Sequence, residues 1–253
     1  RSRGDLKEMD QHFKIITPVY NAQDWIGKCI KSVKDQDYIN FEQIIVDDCS
    51  TDNTVDEATK EIRGDSRFKL VRKEHRMGVM HSHVAGTELL GKDAEEDVVF
   101  VHLDGDDWLA HEKVLSRVNE IYKEKNCWLT YGNYKTTDNS SSVCQEINNP
   151  MPRTEILSGW PFSHLRTFKK FLWDRIKTNS LLDSNEKMFT SACDVAIMIP
   201  MIEMAGNRVH FIDEVLYVYN RENPLNEDKD HLDDQVRCAL EIVRQDPYPP
   251  IVK

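Results

Sequence analysis

The sequence predicts an α/β fold with a mostly parallel central sheet flanked by helices, and three observations carry that prediction. Short apolar runs alternate with amphipathic stretches through the first half of the 253 residues, the grammar of strand and helix in turn. The run Asp97 to Leu103 is nearly all apolar, as a strand covered on both faces should be. Acidic residues stand at the ends of these runs, where open α/β sheets bind their ligands.

The first strand, Phe13 to Tyr20, ends at Asn21, which is placed to cap a helix with Trp25, Ile26, Cys29, Ile30 and Val33 on one face. The second, Gln43 to Asp48, ends at the cap residues Ser50-Thr51-Asp52 of a helix bearing Val55, Ala58 and Ile62. The third, Arg67 to Val71, leads through Gly78 to a helix ending near Leu90, and the fourth is Asp97 to Leu103. A helix with Val114, Leu115, Val118, Ile121 and Tyr122 on one face comes next, then a strand from Trp128 to Tyr131 and a polar loop from Thr136 to Ser142. The rest is less regular. It reads as an amphipathic helix about Phe168 to Ile176, a helix after Asp194 interrupted by Pro200 and ended near Gly206, and an extended run Val215 to Tyr219. No flexible linker divides the halves, so they are expected to share one core.

Thirty-three Lys and Arg against 44 Asp and Glu give a net charge of −11, which argues against a general nucleic-acid binder. The charge is uneven. Residues 63–76 and 164–177 each carry net +4, while 222–234 carry net −5. An anionic ligand would therefore be held by a local device. Six cysteines are scattered singly, with no C-x-x-C pair, which disfavours zinc and a disulfide framework. No apolar run approaches membrane-spanning length and the first residues, Arg1-Ser2-Arg3-Gly4-Asp5, are polar. The expectation is a soluble cytoplasmic or intracellular protein with no integral membrane segment, either a processed chain or one domain of a longer one.

Leu103-Asp104-Gly105-Asp106-Asp107 concentrates like charge, an arrangement that costs energy unless a cation compensates it. Asp-x-Asp lets two carboxylates converge on one hard divalent ion, Mn²⁺ or Mg²⁺, whose other ligands are water and phosphate oxygens. Gly105 removes a side chain from the crowded site. The plainer alternative is a turn in which Asp106 or Asp107 caps the helix carrying Val114.

The series Ile16-Thr17-Pro18-Val19-Tyr20-Asn21, Ile45-Val46-Asp47-Asp48-Cys49-Ser50-Thr51-Asp52-Asn53-Thr54 and Leu103-Asp104-Gly105-Asp106-Asp107-Trp108-Leu109 resembles the family 2 glycosyltransferases of the GT-A fold. The likeness spans about 95 residues in order and spacing, and a weaker one runs on to about Asn226. It implies a Rossmann-like sheet, a nucleotide-diphosphate sugar donor and inverting, metal-dependent transfer. Thr17, Pro18 and Tyr20 would lie beside the base, with Asp47 accepting from a uracil imide N–H, which makes the donor a UDP-sugar. Asp106 would be the principal metal ligand, Asp104 would lie near the ribose or metal, and Asp107 would be a second ligand or a cap. For Pro18 the alternative is a strand-ending proline. After the third strand this chain departs from the family's pattern. Gly78 and Gly86 hold their places, but His83 stands where an Arg is usual, and Arg76 or His83 is the substitute for donor contacts or merely a surface or core residue.

The family's base, an acid opening a helix in the second half, matches Asp194, which as a residue type also suits an N-cap. Trp160, His164 and Arg166 are weaker candidates for the acceptor side, competing with plain core packing. His210 and His231 are possible further metal ligands with the same competing reading. The implied organisation is an N-terminal extension (1–12), a nucleotide-sugar-binding half (13–135), an acceptor and catalytic-base half (136–245) and a tail or linker (246–253). Two other functions remain open at this point. A nucleotidyltransferase would carry a Gly-rich basic loop after the first strand, which Pro18-Val19-Tyr20-Asn21-Ala22 is not. A non-catalytic nucleotide-sugar or glycan-binding module would bind without turnover.

Overall fold

Every residue of strand β1 (Phe13–Val19) is buried. It lies inside the sheet, parallel to β2 (Phe41–Asp47) on one side and to β4 (Val99–His102) on the other. The computed structural model describes residues 10–138, 144–147, 152–225 and 232–252. Strand β3 (Phe68–Arg72) joins β2 in parallel. Beyond β4 come β7 (Arg166–Lys169), β6 (Leu129–Thr136), β8 (Val209–Tyr219) and the short β5 (Trp108–Leu109), giving the order β3-β2-β1-β4-β7-β6-β8-β5. β7 and β5 run antiparallel to their neighbours. The halves divided at residue 135 are one sheet, since β6 lies between β7 and β8.

Side chains alternate along strands, so the sheet faces two cores. Ile15 and Val101 pack with Ile26 and Ile30 of α1 (Ile26–Lys34) and with Leu115 and Val118 of α4 (Val114–Lys125). Ile16, Ile44 and Phe100 pack with Met80 and Leu90 of α3 (Val79–Gly91) and with the apolar α6 (Cys193–Ala205). Helix α2 (Thr54–Ile62) lies against α1. Covered on both faces, β1 and β4 need no polar alternation, which is why their sequences read as continuous apolar runs.

Local chemistry departs from the sequence reading at several points. Asn21 does not cap α1. It takes φ 48°, and its Oδ1 accepts from the Thr51 N–H at 2.8 Å. Ahead of α2, Asp52 Oδ1 accepts from the Thr54 N–H at 3.0 Å. Neither Asp106 nor Asp107 caps α4, whose N-cap is Lys113. Phe168 belongs to β7, paired with Phe100, and only α5 (Lys170–Trp173) turns helical there, because pairing with β4 and β6 takes up the backbone groups of this stretch. Pro200 does not interrupt α6, where nearly every side chain is buried and tertiary packing outweighs one lost helical hydrogen bond.

Helix α7 (Leu232–Val243) has no counterpart in the sequence reading, because its contribution to the core is thin, chiefly Cys238 and Ile242. The segment read as a tail or linker is extended but docked. The Lys177 N–H donates to the Tyr248 hydroxyl at 2.8 Å, and the Ile251 N–H donates to the Met204 carbonyl at 2.9 Å. Among the described residues no helix is long and apolar enough to cross a membrane.

Candidate active site

The chain leaves β1 toward β2 on one side and returns to β4 on the other, so a crevice opens at the carboxyl ends of β1 and β4. A cleft of about 530 Å³ lies there. The loop after β4 forms its floor. It is a tight turn closed by the Asp107 N–H on the Asp104 carbonyl at 3.1 Å, and it rests on β1 through the Gly105 N–H on the Pro18 carbonyl at 3.0 Å. A Cβ at Gly105 would meet the Val19 side chain at 2.6 Å and the Pro18 carbonyl at 3.0 Å. Gly105→Ala is therefore expected to cost about 1–3 kcal/mol by overpacking and to displace the flanking carboxylates. The midpoint of urea unfolding checks this, and an unchanged midpoint would mean that the loop shifts without cost.

The three acids of this loop have different surroundings. Asp107 is interior, with Oδ2 accepting from the Tyr217 hydroxyl at 2.5 Å and Oδ1 from the Asn220 N–H at 2.7 Å. Both oxygens are thus engaged in holding the end of β8, the role of an anchor. Burial, then the charges of Asp106 and Asp104, pushes its carboxyl well above the usual range. Asp106 accepts at Oδ2 from the Asn223 amide at 2.7 Å, and burial raises its pKa as well. Asp104 is more open, its side chain 29% exposed, with Oδ1 3.7 Å from His83 Nε2. Burial, then Arg166 and Lys73, pushes the His83 pKa down to about 3, so Asp104 meets a neutral ring and not an imidazolium.

Among the described residues no three His, Cys, Asp or Glu side chains converge to hold a metal unaided. Asp104 and Asp106 still fit a hard divalent ion completed by water and phosphate oxygens. They are carboxylates, they line one cleft, and the ionised form of Asp106 is disfavoured by burial, a load that a cation would relieve.

Pro18 and Tyr20 line the β1 side, and the Arg76 guanidinium lies 3.9 Å from the Tyr20 ring. Thr17 is wholly buried, its Oγ1 accepting from the Gln43 amide at 2.7 Å. Asp47 is also wholly buried. Its Oδ2 accepts from the Ser50 N–H at 3.1 Å and lies 3.5 Å from Arg72 Nε, while Oδ1 is buried without a partner. Asp48 is the member of that pair that lines the cleft. It accepts from Lys73 Nζ at 3.0 Å and from the N–H groups of Met77 and Gly78 at 2.9 and 2.7 Å, which ties the loop carrying Arg76 to the end of β2. Gly78 then turns into α3 at φ 94°, a conformation that favours glycine.

Asp194, in the first turn of α6, also lines the cleft. It is not the cap, a position held by Ala192. Its Oδ2 meets Arg166 Nη1 at 2.8 Å. Arg166 Nη2 is 3.0 Å from His164 Nδ1, and His164 stacks on Tyr217 at 4.2 Å. Trp160 lies away from the cleft, edge-on to Phe162 at 5.3 Å. His210 sits on β8, paired with Thr130 of β6, also away from it. His231 lies outside the described residues. Thr190, Asn223 and Asp234 complete the cleft, with the Thr190 hydroxyl donating to Asp234 at 2.6 Å. The sequence reading missed them because they come from the less regular half, where no strand-end rule points.

A model of the family described as Glycosyl transferase family 2 matches residues 14–184. The chain belongs to this family. Its relatives include the putative teichuronic acid biosynthesis glycosyltransferase TuaG of Bacillus subtilis (strain 168), 37% identical over 47% of this chain and 45% of that one. Another is the UDP-Glc:alpha-D-GlcNAc-diphosphoundecaprenol beta-1,3-glucosyltransferase WfgD of Escherichia coli, 34% identical over 53% of this chain and 51% of that one. The matches thus span about half the length of these relatives. Among solved structures, S. aureus TarS 1-349 in complex with UDP-GlcNAc shares the fold with a TM-score of 0.67, 21% identity, and coverage of 93% of this chain and 68% of that one. The mannosyltransferase PcManGT from Pyrobaculum calidifontis, in complex with GDP-Man and Mn2+, gives a TM-score of 0.64 at 17% identity over 96% of this chain and 67% of that one. These neighbours place the family 2 domain in the GT-A fold.

Proposed function

We propose that this family 2 domain transfers a hexose from a UDP-sugar to a hydroxyl of a glycan or glycoconjugate, with inversion, in a cytoplasmic or other intracellular setting. The observation that carries the proposal is that Asp104, Asp106 and Asp194 line a single cleft. Residues 13–135 would hold the donor, and 136–245 the acceptor and the base. Tyr20 and Arg76 would flank the nucleotide. A uracil imide N–H would be the donor to Asp47 Oδ1, which is buried and unpartnered, so that pairing requires the end of β2 to open toward the cleft.

Inversion by direct displacement needs a base on the face opposite the leaving diphosphate. Asp194 Oδ2 is held by Arg166, while Oδ1 has no partner among the described residues and is the oxygen to take the acceptor's proton as its hydroxyl attacks. Asp106 and Asp104 would hold Mn²⁺ or Mg²⁺, which when bound neutralises the diphosphate and stabilises the charge on the leaving group. No covalent nucleophile is required. The test is a panel of nucleotide sugars with Mn²⁺ or Mg²⁺, reading nucleotide release with and without a mixed glycan acceptor. Metal-dependent UDP release stimulated by the acceptor is expected. Absence of release from every donor would end the proposal.

A further inference from the structure

We infer that Arg166 is the positioning residue for Asp194, and not an acceptor contact. This rests on the reading of Asp194 as the base. Arg166 lines the cleft, but only 7% of its side chain is exposed, against 31% for Asp194, so it presents little of itself to anything bound there. Its Nη1 stands 2.8 Å from Asp194 Oδ2, and no other carboxylate pairs with it among the described residues.

Several rings surround the guanidinium. Arg166 pairs with His102 across the β4–β7 ladder, and His102 stacks on His83 at 4.2 Å. His164 Nδ1 lies 3.0 Å from Nη2. Burial lowers the pKa of His164, so its ring is neutral beside the guanidinium. His164 accepts from Nη2 and fixes the rotation of the fork with Nη1 beside Oδ2, an ion-pair contact without hydrogen-bond alignment. Lys has neither the second nitrogen nor the planar geometry to satisfy both partners at once.

The test compares Arg166→Lys and Arg166→Met in wild-type and Asp194→Asn backgrounds. Transfer kinetics, calorimetry with UDP and Mn²⁺, and thermal unfolding are read for each. Arg166→Met is expected to lower kcat by about 100-fold, with UDP affinity and both KM values nearly unchanged. Arg166→Lys should restore part of the rate, and in the Asp194→Asn background neither change should lower it further. A raised KM with kcat preserved, or equal fractional losses in both backgrounds, would overturn the assignment. The unfolding temperatures of the four-member cycle should be non-additive, and additive values would overturn the pair itself. If the wild-type protein turns over no nucleotide sugar, the proposed function fails while this cycle still decides whether residues 166 and 194 are coupled. Should Arg166→Met not fold, Arg166→Lys carries every comparison.

Discussion

Asp194→Asn is expected to lower glycosyl transfer by about 10²–10⁴-fold, the usual contribution of a positioned general base. Donor affinity should stay close to wild type. Asn keeps the size and an acceptor oxygen toward Arg166, so the first turn of α6 has no reason to move. The groups proposed to hold UDP and the metal lie on the β1 and β4 side, and none of them touches Asp194 within hydrogen-bond distance. What is lost is the ability of Oδ1 to accept a proton. Transfer rates under donor saturation, with calorimetry of UDP and Mn²⁺, separate the outcomes. Wild-type-like transfer would remove Asp194 from the mechanism, and joint loss of binding and transfer would show a structural defect.

The donor side of the cleft was legible in the sequence because it is made by local rules. Runs buried on both faces end in Pro18, Asp47 and Asp104, and the carboxyl ends of parallel strands are where such sheets bind. The limit of those rules appears at Asp47 and Asp48. Two adjacent acids at a strand end point to opposite sides, so one is interior and the other lines the cleft, and nothing in the dipeptide says which. The partners of the acidic loop were not legible at all. Tyr217, Asn220 and Asn223 reach Asp107 and Asp106 from more than a hundred residues away, through the placing of β8 beside β5 and β6.

Arg166 shows a third kind of failure. Phe168, Phe171 and Leu172 have helical spacing, so the segment reads as an amphipathic helix about Phe168 to Ile176, with Arg166 just ahead of it as an acceptor-side candidate. In the sheet, Arg166 instead lies on the central side of β7 and turns inward to Asp194. Only the neighbouring strands decide between the two periods, and they lie far off in sequence.

Asp106→Asn is expected to make the metal-free protein more stable while abolishing its response to Mn²⁺. Burial raises the carboxyl of Asp106 above its unfolded value, and burial with the charges of Asp106 and Asp104 raises that of Asp107. A carboxylate whose pKa is raised by folding contributes stability in acid and loses it as pH rises through the raised value. At neutral pH the charged loop therefore works against folding. An Asn at this position still accepts from Asn223 but removes one of the like charges facing Asp107. The gain should be about 1 kcal/mol, or about 2–4 °C in Tm for a chain of this size. It should vanish as pH falls toward the unfolded carboxylate range and grow as pH rises. Wild type with UDP and Mn²⁺ at about 100 times Kd should gain about 2.7 kcal/mol by linkage, and the variant should gain almost none from the metal. An unchanged Mn²⁺ shift would remove Asp106 from the metal site, whatever the stability of the metal-free form. A variant that loses both the shift and stability would mean that the Asn223 contact, and not the metal, is what Asp106 provides.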